Sequence, residues 1–194
     1  MGATLDLNIV STKNINLNKI LILIEKSFNI KIGVNEIEII DDWEYSNVIY
    51  ELEIDNVCKY IEVGKIANIQ LNANNKFKMG CQIEKVNGIY LTNLWIDTEK
   101  LQYLDSNSII TENEMFYNKL IDIISELSNI YEIIISSVGV ESTLEYSQEL
   151  EGVIRESENI NMWFITNKVL KTLEGFHMEK LTYKVNVFKK LVDA

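Results

Sequence analysis

Proline is missing altogether from the 194 residues, histidine and arginine occur once each (His177, Arg155), and cysteine occurs twice (Cys58, Cys81). Each shortage excludes something. Without proline there is no X-Pro bond to isomerise during folding, and turns fall to glycine and asparagine. Asn87-Gly88 is the clearest such turn, a dipeptide suited to a two-residue hairpin. One histidine leaves no His-plus-His zinc set and no HExxH. One arginine removes the bidentate clamps on which sites for anionic substrates rely. The two cysteines, with no CxxC between them, fit a reducing compartment and free thiols, and their apolar surroundings predict buried, inert ones. The longest apolar run, residues 20–24, is far short of the roughly 20 residues of a membrane helix. No basic stretch followed by an apolar core opens the chain, so no secretory leader is expected and the cytoplasm is the expected compartment.

Motif chemistry is equally sparse. There is no GxSxG and no GxGxxG, and Gly64-Lys65 lacks the upstream glycine of a phosphate loop. His177 has no elbow-like turn beside it for a nucleophile, and a histidine there is expected to sit against the end of a helix. Carboxylate pairs could do acid–base work, but 29 acidic residues guarantee many pairs by chance. A chain with this inventory reads as a non-enzyme, with no cofactor and no metal site.

What the chain has in excess is negative charge. Apolar residues make up 47% and charged residues 24%, the balance of a globular chain, yet the net charge is −11. That sign disfavours nucleic acid and anionic membrane surfaces as partners. The charge is also uneven: residues 36–62 carry −8 and residues 97–158 carry −11, while the remaining stretches are mildly basic. An acidic surface keeps a protein soluble; it also steers a basic partner toward itself.

Hydrophobic periodicity predicts the elements. Leu5, Leu7 and Ile9 alternate with Asp6 and Asn8, a half-buried strand over 4–10. Asn16 can cap a helix over 17–28, whose stripe Leu17, Ile20, Leu21, Ile24 and Phe28 is widened by Ile22 and Leu23 and therefore expected to be covered on more than one side. A hairpin follows, with Ile37 and Ile39 on one arm and Val48, Tyr50, Leu52 and Ile54 on the other. Residues 68–71, 78–86 and 89–96 read as a meander. Thr111 and Glu114 form a capping box before a long amphipathic helix, and Ile133–Ile135 reads as a strand buried on both faces. Ser142 and Glu145 repeat the capping pattern ahead of a polar helix ending near Gly152. A strand at 162–165, a short helix at 166–173 and a strand at 183–188 complete the chain. The class is α+β, a mixed, largely antiparallel sheet with helices packed on it, in one domain over 1–194.

Two constellations could bind a partner. Asp41, Asp42, Trp43, Glu44 and Tyr45 fill the hairpin connection, with Glu51 and Glu53 behind them. Carboxylates there would steer, and Trp43 and Tyr45 would anchor, unless Trp43 folds back on the core. Glu141, Glu145 and Glu149, spaced i, i+4 and i+8, would align on one face of the polar helix and form a second acidic ridge. Trp95 and Trp163 read as core.

The opening Met1-Gly2-Ala3-Thr4-Leu5-Asp6-Leu7, the size, the acidity and the α+β pattern together resemble bacterial polymorphic-toxin immunity proteins. That resemblance implies a protein that binds a cognate toxin domain, often a basic nuclease, and blocks it without doing chemistry. The alternative is a small-molecule-binding or metabolic enzyme domain using carboxylates in a cleft.

Overall fold

The structure is a computed structural model that describes residues 3–73, 78–98, 114–146, 150–166, 173–180 and 185–190. Its frame is one ten-stranded sheet made of β1 (Thr4–Ser11), β2 (Gly33–Ile40), β3 (Val48–Glu51), β4 (Ile66–Asn72), β5 (Lys78–Val86), β6 (Ile89–Asp97), β7 (Ile133–Thr143), β8 (Glu158–Thr166), β9 (Phe176–Lys180) and β10 (Val185–Lys190). The strands lie in the order β3-β2-β4-β5-β6-β1-β7-β8-β10-β9. Among the described residues four helices accompany it, namely α1 (Leu17–Phe28), α2 (Val57–Glu62), α3 (Glu114–Ile130) and α4 (Leu150–Glu156).

The class is α+β, and every described strand pairing is antiparallel. The parallel pairs that the strand–helix–strand order suggested are absent among the described residues, for a topological reason. The α1 crossover does return β2 in the direction of β1, but β4, β5 and β6 are inserted between them. The α3 crossover likewise makes β7 run with β6, and β1 lies between those two. Both crossovers link strands that share a direction without being neighbours.

Local chemistry sets the element ends as expected. The Asn16 side chain accepts a hydrogen bond from the Lys19 amide at the start of α1, and Asn29 closes the helix with φ 51°. Asn87 and Gly88 both take positive φ, 50° and 81°, which makes the two-residue turn between β5 and β6. A turn of that length fixes the register, pairing Gln82 with Asn93 and Gly80 with Trp95.

One face of the sheet carries α1, α2 and α3. Leu5, Leu7 and Ile9 point into that layer and meet Ile20, Ile24, Leu120 and Ile124, while Lys26 and Glu126 close the outer seam of α1 and α3 with an ion pair of 2.8 Å. The widened stripe on α1 is half right, because Leu23 is buried whereas Ile22 is 57% exposed. The opposite face is covered only in part: Val153 of α4 packs over Val10, Ile135, Trp163 and Phe188. As a result β1 is not half-buried but buried on both faces, Asp6 and Asn8 included.

Several expectations are corrected. The strand expected to reach Ile54 stops at Glu51, and Ile54–Asn56 is a 3₁₀ turn. β9, which had no sequence forecast, contains His177, paired with Lys189, and the helix it was expected to follow lies outside the described residues. Thr111 and residues 167–172 lie outside the described residues. Trp163 is core as expected, while Trp95 is half-buried on the open face.

Trp95 lies over Gly80 on the neighbouring strand. A Cβ at position 80 would collide with the Trp95 ring and come within 2.7 Å of the Ile69 carbonyl oxygen. Gly80→Ala is therefore expected to lose about 1–2 kcal/mol of unfolding free energy, the usual range for forcing a methyl into a packed contact, and to shift tryptophan emission. Equilibrium urea unfolding followed by fluorescence measures both.

The cysteines differ from each other. Cys81 is buried in β5 and its thiol is pushed up to about 12 by burial, whereas Cys58 on α2 is exposed, against the expectation of two buried thiols. A maleimide at pH 8 should label one thiol per native molecule, at Cys58, and the second only after denaturation. Mass spectrometry of the labelled peptides reads this directly.

Candidate functional site

The face of the sheet away from α1 and α3 carries a row of polar side chains fixed by register. Glu38 stands opposite Asn68, Asn68 opposite Gln82, Gln82 opposite Asn93, Asn93 opposite Asn8, and Asn8 opposite Ser137. Because side chains alternate with period two, these six positions on six adjacent strands share one face. The next position along puts Asp6 opposite Trp95, and the position on the other side puts Glu84 opposite Leu91.

The row is tied together at its inner end. Asn93 Nδ2 donates to Asn8 Oδ1 at 2.8 Å, and Asn8 Nδ2 donates to the hydroxyls of Ser137 at 3.3 Å and Ser142 at 3.2 Å. Asp6 accepts from the Ser142 amide at 2.9 Å and from the Thr4 hydroxyl at 3.2 Å. Asp6 is only 6% exposed. Burial pushes its carboxyl up to about 6, against the opposing pull of the hydrogen bonds from Ser142, Thr4 and Asn93.

Above this floor runs a groove of ≈ 610 Å³. Asp6, Asn8, Gln82 and Asn93 form its base; Trp43 stands on one side, and Ser142 to Tyr146 form the other. Glu84 projects into it, its carboxyl held above the usual carboxylate range by burial and partly drawn back by a hydrogen bond with Trp43. Among the described residues no three His, Cys, Asp or Glu side chains gather closely enough to hold a metal ion.

Trp43 is positioned by the connection between β2 and β3, which organises itself. One carboxylate oxygen of Asp42 accepts from the amides of Glu44 at 3.0 Å and Ser46 at 3.2 Å, and the other accepts from the Ser46 hydroxyl at 2.7 Å. Asp41 pairs with Lys65 and accepts from Asn47. These partners hold both carboxyls below the usual range, the Ser46 hydroxyl acting most on Asp42 and Lys65 most on Asp41. Tyr45 takes a left-handed backbone conformation and its hydroxyl meets Asn68 of the polar row. Trp43 and Tyr45 are 48% and 45% exposed, so neither has folded back into the core.

The other forecast site residues separate from this cluster. Glu51 sits opposite Ile37, on the helix-side face, and accepts from the amides of Leu52 and Glu53. Glu53 is exposed in the connection that follows. The acidic helical ridge does not exist: Glu141 lies in β7, Glu145 follows it in a connection, and α4 begins only at Leu150. Glu149 lies outside the described residues. The capping pattern at Ser142 and Glu145 is not used as a cap, because the Ser142 hydroxyl accepts from Asn8 and its amide donates to Asp6.

Asp6, Asn8, Gln82, Glu84 and Asn93 carry the site and were not singled out from sequence. A signal existed for part of it. The Asn87-Gly88 turn alone dictates that Gln82 and Asn93 are cross-strand partners. Comparison of the chain with protein families, with characterised proteins and with solved structures finds no match. Among the described residues no helix is long and apolar enough to cross a membrane.

Proposed function

We propose that this chain is an immunity-type protein of the bacterial cytoplasm, which neutralises a cognate toxin domain of basic surface by stoichiometric binding, without cofactor and without chemistry of its own. The observation that carries this reading is the Asp41–Tyr45 turn: a self-bonded, acidic connection that holds two aromatic rings half-exposed, Trp43 at the rim of an acidic groove and Tyr45 against Asn68 of the polar row. Preformed aromatic anchors flanked by charge are what a tight protein–protein contact needs, since little ordering entropy is lost on binding. The carboxylates of Glu44 and Glu38 complement a basic partner and raise its encounter rate.

The test is co-production with the toxin domain encoded beside it. Growth of the toxin-producing host should recover, and the purified pair should form a 1:1 complex. Association should slow as salt is raised, and Glu44→Gln combined with Glu38→Gln should flatten that dependence while leaving dissociation nearly unchanged. Absence of any complex overturns the reading, and an association rate indifferent to salt removes its electrostatic part.

A second reading, a small-molecule or metabolic enzyme domain, is favoured by one observation. Asp6 and Glu84 line a common groove and burial raises both carboxyls, which is how acid–base pairs are built. Turnover of a small molecule that is lost in Glu84→Gln, by a chain that forms no toxin complex, would favour it over the first.

A further inference from the structure

We propose that the groove on the face opposite α1, α2 and α3 receives an arginine side chain of the basic partner, its guanidinium lying against the Trp43 indole and donating to Glu84, Gln82 and Asn93. The inference rests on the reading that the partner is a basic protein, and it names the chemistry of the contact.

Three observations lead to it. Among the described residues, the side chains that line the groove include the carboxylates of Asp6, Glu84 and Glu145 and no Lys, Arg or His. The lysine nearest in sequence, Lys85, belongs to the other face, where it pairs with Glu62 and lies over the Tyr90 ring. The groove is thus rich in acceptors, and none of its described lining residues is a cation that would satisfy them. Second, the inner groups are already committed to one another through Asn93, Asn8 and Ser142, while the Gln82 carboxamide has no partner among the described residues. A preorganised floor with one open carboxamide presents acceptors at low cost in ordering. Third, the wall is an indole that lines the groove with about half of its surface exposed.

An arginine matches all three. Its guanidinium is planar, donates only, offers five N–H groups in a fixed fork and stacks on an aromatic face. A lysine ammonium is a compact, strongly hydrated point charge that exploits neither the plane of the ring nor the spread of acceptors. A neutral sugar can donate its hydroxyls to Asp6 and Glu84 but brings no charge to offset theirs, and hydrogen bonds assisted by charge are the stronger ones. The volume of ≈ 610 Å³ leaves room for the side chain with backbone on either side.

The experiment uses the full chain, isotopically labelled, titrated with a blocked peptide of alternating glycine and arginine, with its lysine counterpart, and with a neutral oligosaccharide. The arginine peptide should shift the Trp43 indole and the Gln82 and Asn93 carboxamide resonances saturably, and bind about tenfold more tightly than the lysine peptide. Glu84→Gln should weaken it about tenfold, and Gln82→Lys, which places a cation in the groove without removing any bond of the inner network, should abolish it. Retained spectral dispersion in either variant shows that the loss is not unfolding. Equal binding of the two peptides, shifts confined to residues 41–45, or saturable binding of the oligosaccharide instead would overturn the proposal. A toxin complex that forms normally with Gln82→Lys removes the groove contact and leaves the partner standing; a groove that prefers arginine in a chain that binds no toxin faults the partner instead.

Discussion

Asp6→Asn is expected to make the protein more stable at pH 8, by about 1–3 kcal/mol. The folded carboxyl is pushed from 3.8 up to about 6 by burial, so between those values the folded state holds a proton that the unfolded state has released. Unfolding stability therefore falls as pH rises through that window, and above about 6 the full cost of a buried charge is present, about 3 kcal/mol for a displacement of this size. Below 3.8 both states are protonated and the cost vanishes. Asparagine keeps an oxygen for the Ser142 amide and presents its NH₂ to the Thr4 hydroxyl, so most of the gain should be realised. The surface carboxyls act with the opposite sign: Asp41, Asp42 and Glu62 are held below their usual values by hydrogen-bond and ion-pair partners, and their contribution is lost as pH falls through the acidic range. Urea unfolding of wild type and variant at pH 4 and pH 8 separates the two effects. Coincident curves at both pH values would show that burial of Asp6 carries no cost.

Trp43→Ala should cost about 2 kcal/mol of binding free energy to the basic partner, roughly thirtyfold in dissociation constant, expressed mainly as faster dissociation. The reason is area and placement. Among the described residues the ring stands half-exposed beside the groove and joins neither core cluster. Unfolding stability should change by less than 1 kcal/mol, as is usual for a surface position outside the core. Surface plasmon resonance and urea unfolding on the same preparation distinguish an anchor from a structural cap. A variant that loses stability and keeps its affinity would make Trp43 a cap.

The sequence was most legible where one element decides its own state. Asn16 caps α1, Asn87-Gly88 turns β5 into β6, and the apolar stripe of α3 buries Leu120, Ile123, Ile124 and Leu127. It was least legible where a second element, distant in the chain, changes the environment. Asp6 and Asn8 alternate with leucines and read as a solvent face, yet Ser142, 136 residues from Asp6, closes over them. Ile22 widens a helical stripe, yet no neighbour among the described residues covers it. At Ser142 and Glu145 a local pattern that suits a helix cap competes with extension of β7, and the tertiary hydrogen bonds to Asp6 and Asn8 win. The turn at 41–45 was found because its residue types are unusual together; the polar row was missed because asparagine and glutamine become a site only when six strands put them in line.

We assign the binding of a basic protein to the face opposite α1, α2 and α3, from the Trp43 turn across the groove to residues 142–146. Hydrogen–deuterium exchange of the 1:1 toxin complex against the free chain tests it most directly. Protection is expected at residues 41–47, 82–84, 91–93 and 142–146, with none on the outer surfaces of α1 and α3. Protection confined to those helices, with the groove unchanged, would contradict it.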